Sequence, residues 1–578
     1  VVDDAVMVME NIYRHAEMGK DKVRASSEGT KEITFAALAA TLAVIAIFLP
    51  VVFMKGVIGK FFFQFGVTLS VAVMLSYFEA ITLAPARCAQ MLNTSREGRS
   101  AVGRLVDRGF GALERAYARV LRASLRHPVK VLLGSVLVLA ASALLVTRIK
   151  TEFIPSQDQS RLNVRLSTEA GTTPMAAQPL LAKAEERIAR HPEIARMLVS
   201  MNGASGSISL TLVPPNERKQ SAQQLMVALR KDLQGIPGIR GSVQDPSQQG
   251  FGVSSGGSPI DFTIRGSDWD ALVAAADMFR TELERSGIAT DITSDYQVGG
   301  SELQVTPDRR RATELGVSIS ELGSTVRKFS TAGRRVDIRM RLLASQRTRP
   351  EDLSLIRVRG ANNSLIPLSM VVTQEEKPVL QTISRLDRER AISIKANVGA
   401  GHSQAEAMAR VHELAKDLPV GLRVAAGGQA SQLEETTSGL WFAMLVGILV
   451  AYMVLASQFN SFLHPVTVLT ILPLAICGAV IGLVVAGKTL NLFSMIGLLL
   501  LMGIVKKNSI LLVEYAEHIR EHEKLDALSA AAKAGPLRLR PILMTTIATM
   551  TAAVPPILGL GPGTETRSPM AAAVLGGL

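Results

Sequence analysis

Residues 1–11, VVDDAVMVMEN, and residues 503–515, GIVKKNSILLVEY, decide how this chain is read. Each is an apolar helical run broken by charge, by Asp3 and Asp4 in the first and by Lys506 and Lys507 in the second. With Asp3 placed on Lys507, Asp4 falls on Asn508 and Glu10 on Glu514. Past a one-residue slip, ATLAVIAIFLPVVF (40–53) lies on TTIATMTAAVPPIL (545–558), with Pro50 on Pro555. Such an internal repeat marks a duplicated membrane domain. Its halves differ at one place, acid in the first and base in the second.

A helix needs about 20 mainly apolar residues to cross a hydrocarbon layer, because every backbone polar group must be satisfied inside it. Runs of this kind lie at 33–54, 61–86, 129–148, 438–457, 465–487, 491–516 and 541–560. Glu79 is the sole acid in the second of these, and no Asp, Glu, Lys or Arg occurs from Thr436 to Gly487. Residues 1–14 read as the end of a span and 569–578 as the start of another, as in a piece of a longer protein. Lys and Arg gather in three segments, 14–31, 94–130 and 517–540, which fall on one side when spans are counted. The positive-inside rule makes that side cytoplasmic. Within the segment 94–127, the arginine-rich amphipathic stretch 104–126 is expected to lie along the inner membrane surface.

The opposite, periplasmic side then holds residues 149–435. Apolar and polar residues alternate there at Leu162, Val164 and Leu166, at Ile208, Leu210 and Leu212, and at Val336, Ile338, Met340 and Leu342, predicting strands. Residues 391–398 read as a strand, Ser403 with Glu406 as a capping box opening a helix to about Leu418, and 421–426 as a returning strand. The Gly/Ser-rich stretch 249–258 reads as a loop or boundary. The fold class is a polytopic α-helical membrane domain, a truncated duplicated six-helix repeat, with a large periplasmic α+β insert of βαβ-type subdomains.

Composition agrees. Of 578 residues, 48% are hydrophobic and 20% charged, against roughly 25% charged in a soluble protein, and mean hydropathy is +0.26. The two cysteines, Cys88 and Cys477, sit in apolar runs, which excludes a disulfide scaffold and a four-cysteine zinc site. The net charge of +13 is dispersed and aromatics are only 4%, so nucleic-acid binding is not indicated.

A charge inside a bilayer costs at least about 2.5 to 3.5 kcal/mol, so intramembrane charges are paired and functional. Asp3 and Asp4 cannot both ionise cheaply without a nearby cation, and Lys507 on a facing helix would supply one. Proton loading would then change what Lys507 holds. The plainer alternative is a static ion pair that fixes helix register. Asn508, Thr545 and Arg538 are accessory candidates, although a lone threonine usually bonds its own backbone. Glu10 and Glu514 lie seven residues beyond Asp3 and Lys507 on the same face, as solvated headgroup-level acids or a proton exit. Glu79 is read as a relay or as a partner of Arg87 or a neighbouring helix, and Lys506 as a snorkelling side chain. GLVVAGKT (482–489) fits the P-loop pattern to the letter, yet it closes a membrane helix instead of joining strand to helix. HIREH (518–522) fits an inverted zinc-protease pattern, but without a third ligand it reads as a solvated helix extension.

The motifs VVDDAVMVMEN, GKFFFQFGVTLSVAV (59–73) with LAPARC (83–88), EFIPSQDQS (152–160), and GIVKKNSILLVEY with LRLRPILMTT (537–546) resemble the resistance-nodulation-division efflux permeases, in their hydrophobe/amphiphile branch. The resemblance covers essentially the whole chain, from the family's fourth transmembrane helix to the start of the twelfth. It implies a secondary active transporter, not an enzyme, working without cofactor as an inner-membrane homotrimer. Protons would be exchanged for hydrophobic or amphiphilic compounds, and the trimer would join a periplasmic adaptor (a membrane fusion protein) and an outer-membrane channel. Asp3 and Asp4 would bind the proton, with Lys507 as partner and Asn508, Arg538 and Thr545 as accessory members. Residues 149–435 would supply porter subdomains and, at roughly 301–385, part of a docking subdomain. Related metal exporters carry further acids along the fourth helix, and none occurs between Asp4 and Glu10. Drug-exporting relatives line their cleft with phenylalanines around the segment matching 197–213, which here has none, so the substrate-binding residues stay unassigned. Met197 and Met201 could line a pocket or bind a soft metal, or be ordinary strand core. A metal-ion exporter and a non-transporting receptor or assembly protein on the same fold are the alternative functions.

Overall fold

A computed structural model describes residues 2–54, 56–92, 101–169, 172–248, 258–296, 298–318, 327–331, 334–338, 350–360, 364–380, 383–559 and 563–578. The chain opens with α1 (Val2–Glu17), α2 (Lys22–Phe48), α3 (Gly56–Met91), α4 (Ala101–Arg126) and α5 (Pro128–Val146). Pro50 offers no N–H to continue the α-helical ladder, and α2 tightens there into a 3-10 turn, Leu49–Phe53.

An αβ unit follows: β1 (Arg161–Thr168), α6 (Pro174–Ile188), β2 (Ile194–Asn202), β3 (Ser205–Leu212), α7 (Ala222–Gln234) and β4 (Ile239–Gln244). Its antiparallel sheet runs β2-β3-β1-β4. Leu162 faces Leu210 across the ladder, and Val164 faces Ile208 on one side and Val243 on the other. Leu181 of α6 and Leu225 and Leu229 of α7 close over that apolar face. Met197 packs against this core and Met201 is exposed on the outer strand.

Next come β5 (Ile260–Gly266), α8 (Trp269–Ser286) and β6 (Ala289–Ser294). A strand-rich stretch interrupts this second unit: β7 (Val298–Pro307), α9 (Arg309–Glu314), β8 (Arg327–Thr331), β9 (Arg334–Ile338), β10 (Arg357–Arg359), β11 (Leu365–Pro367) and β12 (Val372–Leu380). It pairs internally as β7 with β12, β8 with β9 and β10 with β11. The unit resumes with β13 (Ser384–Leu386), β14 (Glu389–Val398), α10 (Gln404–Leu414) and β15 (Arg423–Ala426). Its sheet runs β13-β14-β5-β15, with β6 also on β14. Ser403 caps α10 by accepting from the Glu406 N–H at 3.2 Å, but the Glu406 carboxylate goes to His402 at 3.0 Å. Only half of the capping box forms, and α10 stops at Leu414 before a 3-10 turn. Met340, Leu342 and residues 249–257 of the Gly/Ser-rich stretch lie outside the described residues.

The chain closes with α11 (Gly428–Phe459), α12 (Leu463–Leu469), α13 (Ile471–Val485), α14 (Leu492–Glu523), α15 (Ala527–Ile557) and α16 (Thr564–Gly577). Among the described residues six helical segments are long and apolar enough to cross a membrane: Lys22–Phe53, Ile58–Met91, Pro128–Val146, Gly428–Phe459, Leu463–Val485 and Leu492–Glu523. Their outer faces present large apolar side chains such as Leu133, Leu137, Trp441 and Phe442. Where helices meet, the residues are small. A Cβ on Gly482 would stand 2.6 Å from the Ala572 carbonyl and 2.8 Å from Gly576 Cα, so α13 and α16 touch backbone to backbone. That contact is what the first glycine of the P-loop pattern serves, while α13 ends at Val485 and Gly487 turns the chain with φ 62°. The HIREH histidines lie in the last turns of α14, with the His518 and His522 rings 4.2 Å apart. The amphipathic α4 packs on α15, where Tyr117 and Leu121 close on Gly535 and Arg540 stands 5.6 Å over the Phe110 ring.

The EFIPSQDQS segment ties the helices to the αβ units. Thr151 bridges Leu490, and Thr489 donates to Glu152 at 2.6 Å. Phe153 is buried in the helical core, and its N–H donates to Gln404 at 2.8 Å. Asp158 pairs with Arg218 and accepts from the Ala222 N–H at the start of α7 at 3.0 Å.

Candidate functional site

Three helices bring one charged pair into the membrane-type core. Lys507 on α14 donates to Asp4 Oδ1 on α1 at 2.5 Å, and Ser76 on α3 donates to Asp4 Oδ2 at 2.5 Å. Asp4 is 5% exposed and Lys507 6%. The pair forms because α1 lies against α2 and α3 while α14 crosses the same bundle, its apolar neighbours Met7, Val8, Tyr77 and Leu511 sharing one cluster. In such surroundings an ion pair holds only if both partners stay bonded, since removing either leaves a buried charge. One carboxylate therefore spends one oxygen on an ammonium and the other on a hydroxyl.

The Asp3 side chain lies outside the described residues. The accessory candidates separate. Arg538 on α15 joins Glu10, not the Asp4 pair: its guanidinium is 3.0 Å from Glu10 and stacks 4.2 Å over the Tyr515 ring. Glu10 is six residues beyond Asp4, about 9 Å along the helix. Arg14 continues this second charged level, bonding Glu32 at 2.6 Å, and His15 reaches the same carboxylate at 2.6 Å. Glu514 is half-buried on α14, in the field of Arg538. Thr545 is buried but donates to its own helix, to the Ile542 carbonyl at 3.0 Å. Asn508 is half-buried and makes no side-chain hydrogen bond among the described residues. Glu79 is half-buried on α3, and Arg87 is exposed without pairing to it.

Two residues depart from sequence reasoning. Lys506 does not snorkel: it is 0% exposed and donates to the Ala43 carbonyl of α2. Its neighbours on α2, α11, α12 and α14 are apolar, and among the described residues no carboxylate is within ion-pair distance. Ser76 was not singled out. Its only signal is a polar residue on the buried face of an apolar helix.

A second feature is a cleft of about 1240 Å³ between the two αβ units, bounded by β1, β3 and β4 on one side and α8 and β6 on the other. Its wall mixes polar and apolar surface, with Arg165, Arg240 and Arg280 against Glu169 and Asp277, Leu166 and Ile394 among the apolar residues, and Tyr296 its aromatic residue. Tyr296 is itself packed edge-on to Trp269 at 5.9 Å. No group of three His, Cys, Asp or Glu side chains able to hold a metal occurs among the described residues.

Comparison with known proteins matches residues 1–578 to the family model described as AcrB/AcrD/AcrF. Multidrug resistance protein MdtC of Pantoea ananatis is 31% identical over 596 residues, covering 100% of this chain and 58% of that protein. MdtC of Yersinia pseudotuberculosis is 31% identical over 599 residues and MdtC of Yersinia enterocolitica 30% over 596, with the same coverage of 100% and 58%. The chain thus spans somewhat more than half the length of these curated relatives. With its acid and base motifs joined in one buried pair and its full length matched, the chain belongs to the AcrB/AcrD/AcrF family of resistance-nodulation-division efflux permeases.

Proposed function

We propose that this chain works in a proton-driven exporter of the bacterial inner membrane, which moves hydrophobic or amphiphilic compounds out of the periplasm or the membrane. The observation that carries the reading is the buried Asp4–Lys507 pair with Ser76 as its third member. Protonating Asp4 cancels the charge that attracts Lys507 and weakens this tie between α14 and α1, while the neutral carboxyl keeps a hydrogen bond to Ser76. Deprotonation restores the tie. Such an element has two arrangements that differ by one proton, and a proton gradient can drive it between them. The Arg538–Glu10 contact, placed a turn or more away, would keep α1 and α15 together as the pair opens and closes. Asp3 is assigned as the second carboxyl of the site.

In this reading α1 to α16 correspond to the family's fourth helix through the start of its twelfth, with α4 on the cytoplasmic surface. The αβ units are the periplasmic porter part, and the strand-rich stretch from β7 to β12 belongs to the docking part. The cleft of about 1240 Å³ is where an exported compound would pass, within the family's expected assembly of homotrimer, periplasmic adaptor and outer-membrane channel. Relatives named multidrug resistance protein MdtC support exported drugs as the substrate class. In the full-length protein, Asp4→Asn and Lys507→Ala should each abolish export of a dye such as ethidium from cells while expression and trimer formation stay normal. Normal export by both variants contradicts the reading.

A further inference from the structure

Helix α4 carries a row of arginines along one face. Arg108, Arg115, Arg119, Arg122 and Arg126 keep the helical period, falling within about 60° of the circumference over about 27 Å of length. All five are exposed, and among the described residues none has an ion-pair partner. Arg122 bonds only its own helix, donating from Nε to the Ala118 carbonyl at 3.1 Å. No Asp or Glu lies in the stripe, and Glu114 is turned about 110° away from it. Arg115, Arg119, Arg122 and Arg126 succeed one another at three- and four-residue steps, where like charges destabilise an isolated helix. A row of this kind points to an anion outside the chain.

The rest of α4 says where that anion lies. One flank packs on α15, where a Cβ on Gly535 would stand 2.6 Å from Leu121 and 3.2 Å from Tyr117. Between that flank and the stripe, Leu113 and Val120 form an apolar edge, 47% and 65% exposed. Ala112, Ala116 and Ala123 separate this edge from the arginines, and they are too short to keep a guanidinium from reaching past them. After His127 alone the chain enters α5, whose exposed Leu132, Leu133 and Leu137 are the face of a span. The stripe thus ends at the level where a span meets water.

An acidic protein would pair the arginines and leave Leu113 and Val120 in water. A phospholipid with an anionic headgroup meets both, its phosphate on the guanidinium groups and its acyl chain on the apolar edge. A zwitterionic lipid brings the phosphate together with a cation that the stripe repels. We propose that α4 is a docking surface for anionic phospholipids of the inner leaflet, with phosphates on Arg115, Arg119 and Arg122 and acyl chains along Leu113 and Val120. The bound lipids brace α4 against α15, the helix whose Arg538 holds Glu10 of α1. The anionic lipid content of the membrane then sets how firmly that part of the bundle is held. The proposal rests on α4 lying at the cytoplasmic membrane surface, but it uses neither Asp4 nor Lys507, and lipid binding without a proton gradient tests it apart from the transport reading.

Purified full-length protein in detergent is titrated with dioleoyl phosphatidylglycerol and with dioleoyl phosphatidylcholine, and bound lipid is followed by native mass spectrometry. Phosphatidylglycerol should bind at least about ten-fold tighter. Arg115→Gln, Arg119→Gln and Arg122→Gln combined should abolish that preference. Lys22→Gln, Arg24→Gln and Lys31→Gln combined, which remove the same charge from exposed positions on α2, should keep it. Leu113→Ser with Val120→Ser should weaken phosphatidylglycerol at least about three-fold with every arginine in place. Amide hydrogen exchange in residues 527–540 of α15 should slow at least about three-fold when phosphatidylglycerol is added to wild type, and not in the arginine variant. Equal affinity of wild type for the two lipids, a comparison that needs no variant, overturns the proposal. So does an unchanged preference in the arginine variant, an equal loss in the α2 variant, or exchange in α15 that ignores the lipid. Binding of polyglutamate at the stripe in place of phosphatidylglycerol assigns the surface to an acidic protein and overturns it as well.

Discussion

Two adjacent lysines on α14 should respond very unequally to the same substitution. Lys507 lies 2.5 Å from Asp4, and both side chains are under one-tenth exposed. Lys507→Met leaves Asp4 with the Ser76 hydroxyl but without its ammonium, and stranding a buried charge in this way costs about 3 to 5 kcal/mol. Lys506 is buried just as deeply, yet its bond is to the Ala43 carbonyl, inside α2. The α-helical ladder already satisfies that carbonyl, so Lys506→Met removes one hydrogen bond, about 0.5 to 1.5 kcal/mol. It also removes the cost of desolvating an amine, and methionine is an unbranched apolar side chain that fills irregular gaps. The two terms nearly cancel, and a change within about 1 kcal/mol of zero is expected. The gap between the variants should therefore be about 2 to 6 kcal/mol. Unfolding of the full-length protein in mixed micelles, followed against the mole fraction of dodecyl sulfate, measures it. Equal destabilisation by both substitutions, or a larger loss for Lys506→Met, refutes the reasoning.

Gly482→Leu should destabilise the bundle by about 1 to 3 kcal/mol or more, since the atoms it meets are backbone of Ala572 and Gly576; Val484→Leu, half a turn away and exposed, is the neutral control in the same unfolding assay. Arg538→Lys should lose about 1 kcal/mol despite keeping its charge, because a lysine does not reproduce the planar stack on Tyr515 together with the Glu10 bond. Asp158 should contribute to acid stability of the αβ region: burial raises its carboxyl, but bonds from the Ala222 N–H, Arg218 and the Ser160 N–H outweigh it and hold the group below its usual range. A depressed carboxyl stabilises the fold above its unfolded value, about 3.9, and that contribution fades as pH falls through the folded value. Asp158→Asn should lower the melting temperature at pH 7 and match wild type at the acid limit, as read by melting curves across pH.

The charged pair was legible in the sequence because intramembrane charge is so costly that Asp4 and Lys507 had to find each other. The repeat places Asp3 on Lys507 and Asp4 one residue further, on Asn508. Ser76 was not legible, because a serine in an apolar helix usually bonds its own backbone, as Ser70 does to the Gly66 carbonyl at 2.7 Å. Nothing local separates the two serines; only the passage of α1 beside Ser76 does. Lys506 went astray for a related reason. Snorkelling requires a lipid-facing side chain, and successive residues on a helix point about 100° apart, so of two neighbours one met Asp4 and the other was sealed against α2. Gly482 opens the stretch that fits the phosphate-loop pattern, a match the sequence context sets aside; its physical role, shared with Gly478, is close helix contact with α16. Arg538 was grouped with the pair because it is basic and near, whereas its geometry assigns it to Glu10. The first sheet followed readily from the period-2 pattern of β1 and β3. The pairing of β5 with β14, more than a hundred residues apart, did not, because long-range strand partners leave no local mark.

Proton movement during export tests the central claim most directly. Full-length protein is reconstituted in liposomes carrying a pH-sensitive dye, and a proton gradient is imposed before the exported compound is added. The expected result is proton flux that rises with the compound in wild type and is absent in Asp4→Asn, with Lys506→Met retaining most of it. Compound-dependent proton flux of wild-type size in Asp4→Asn would contradict the account.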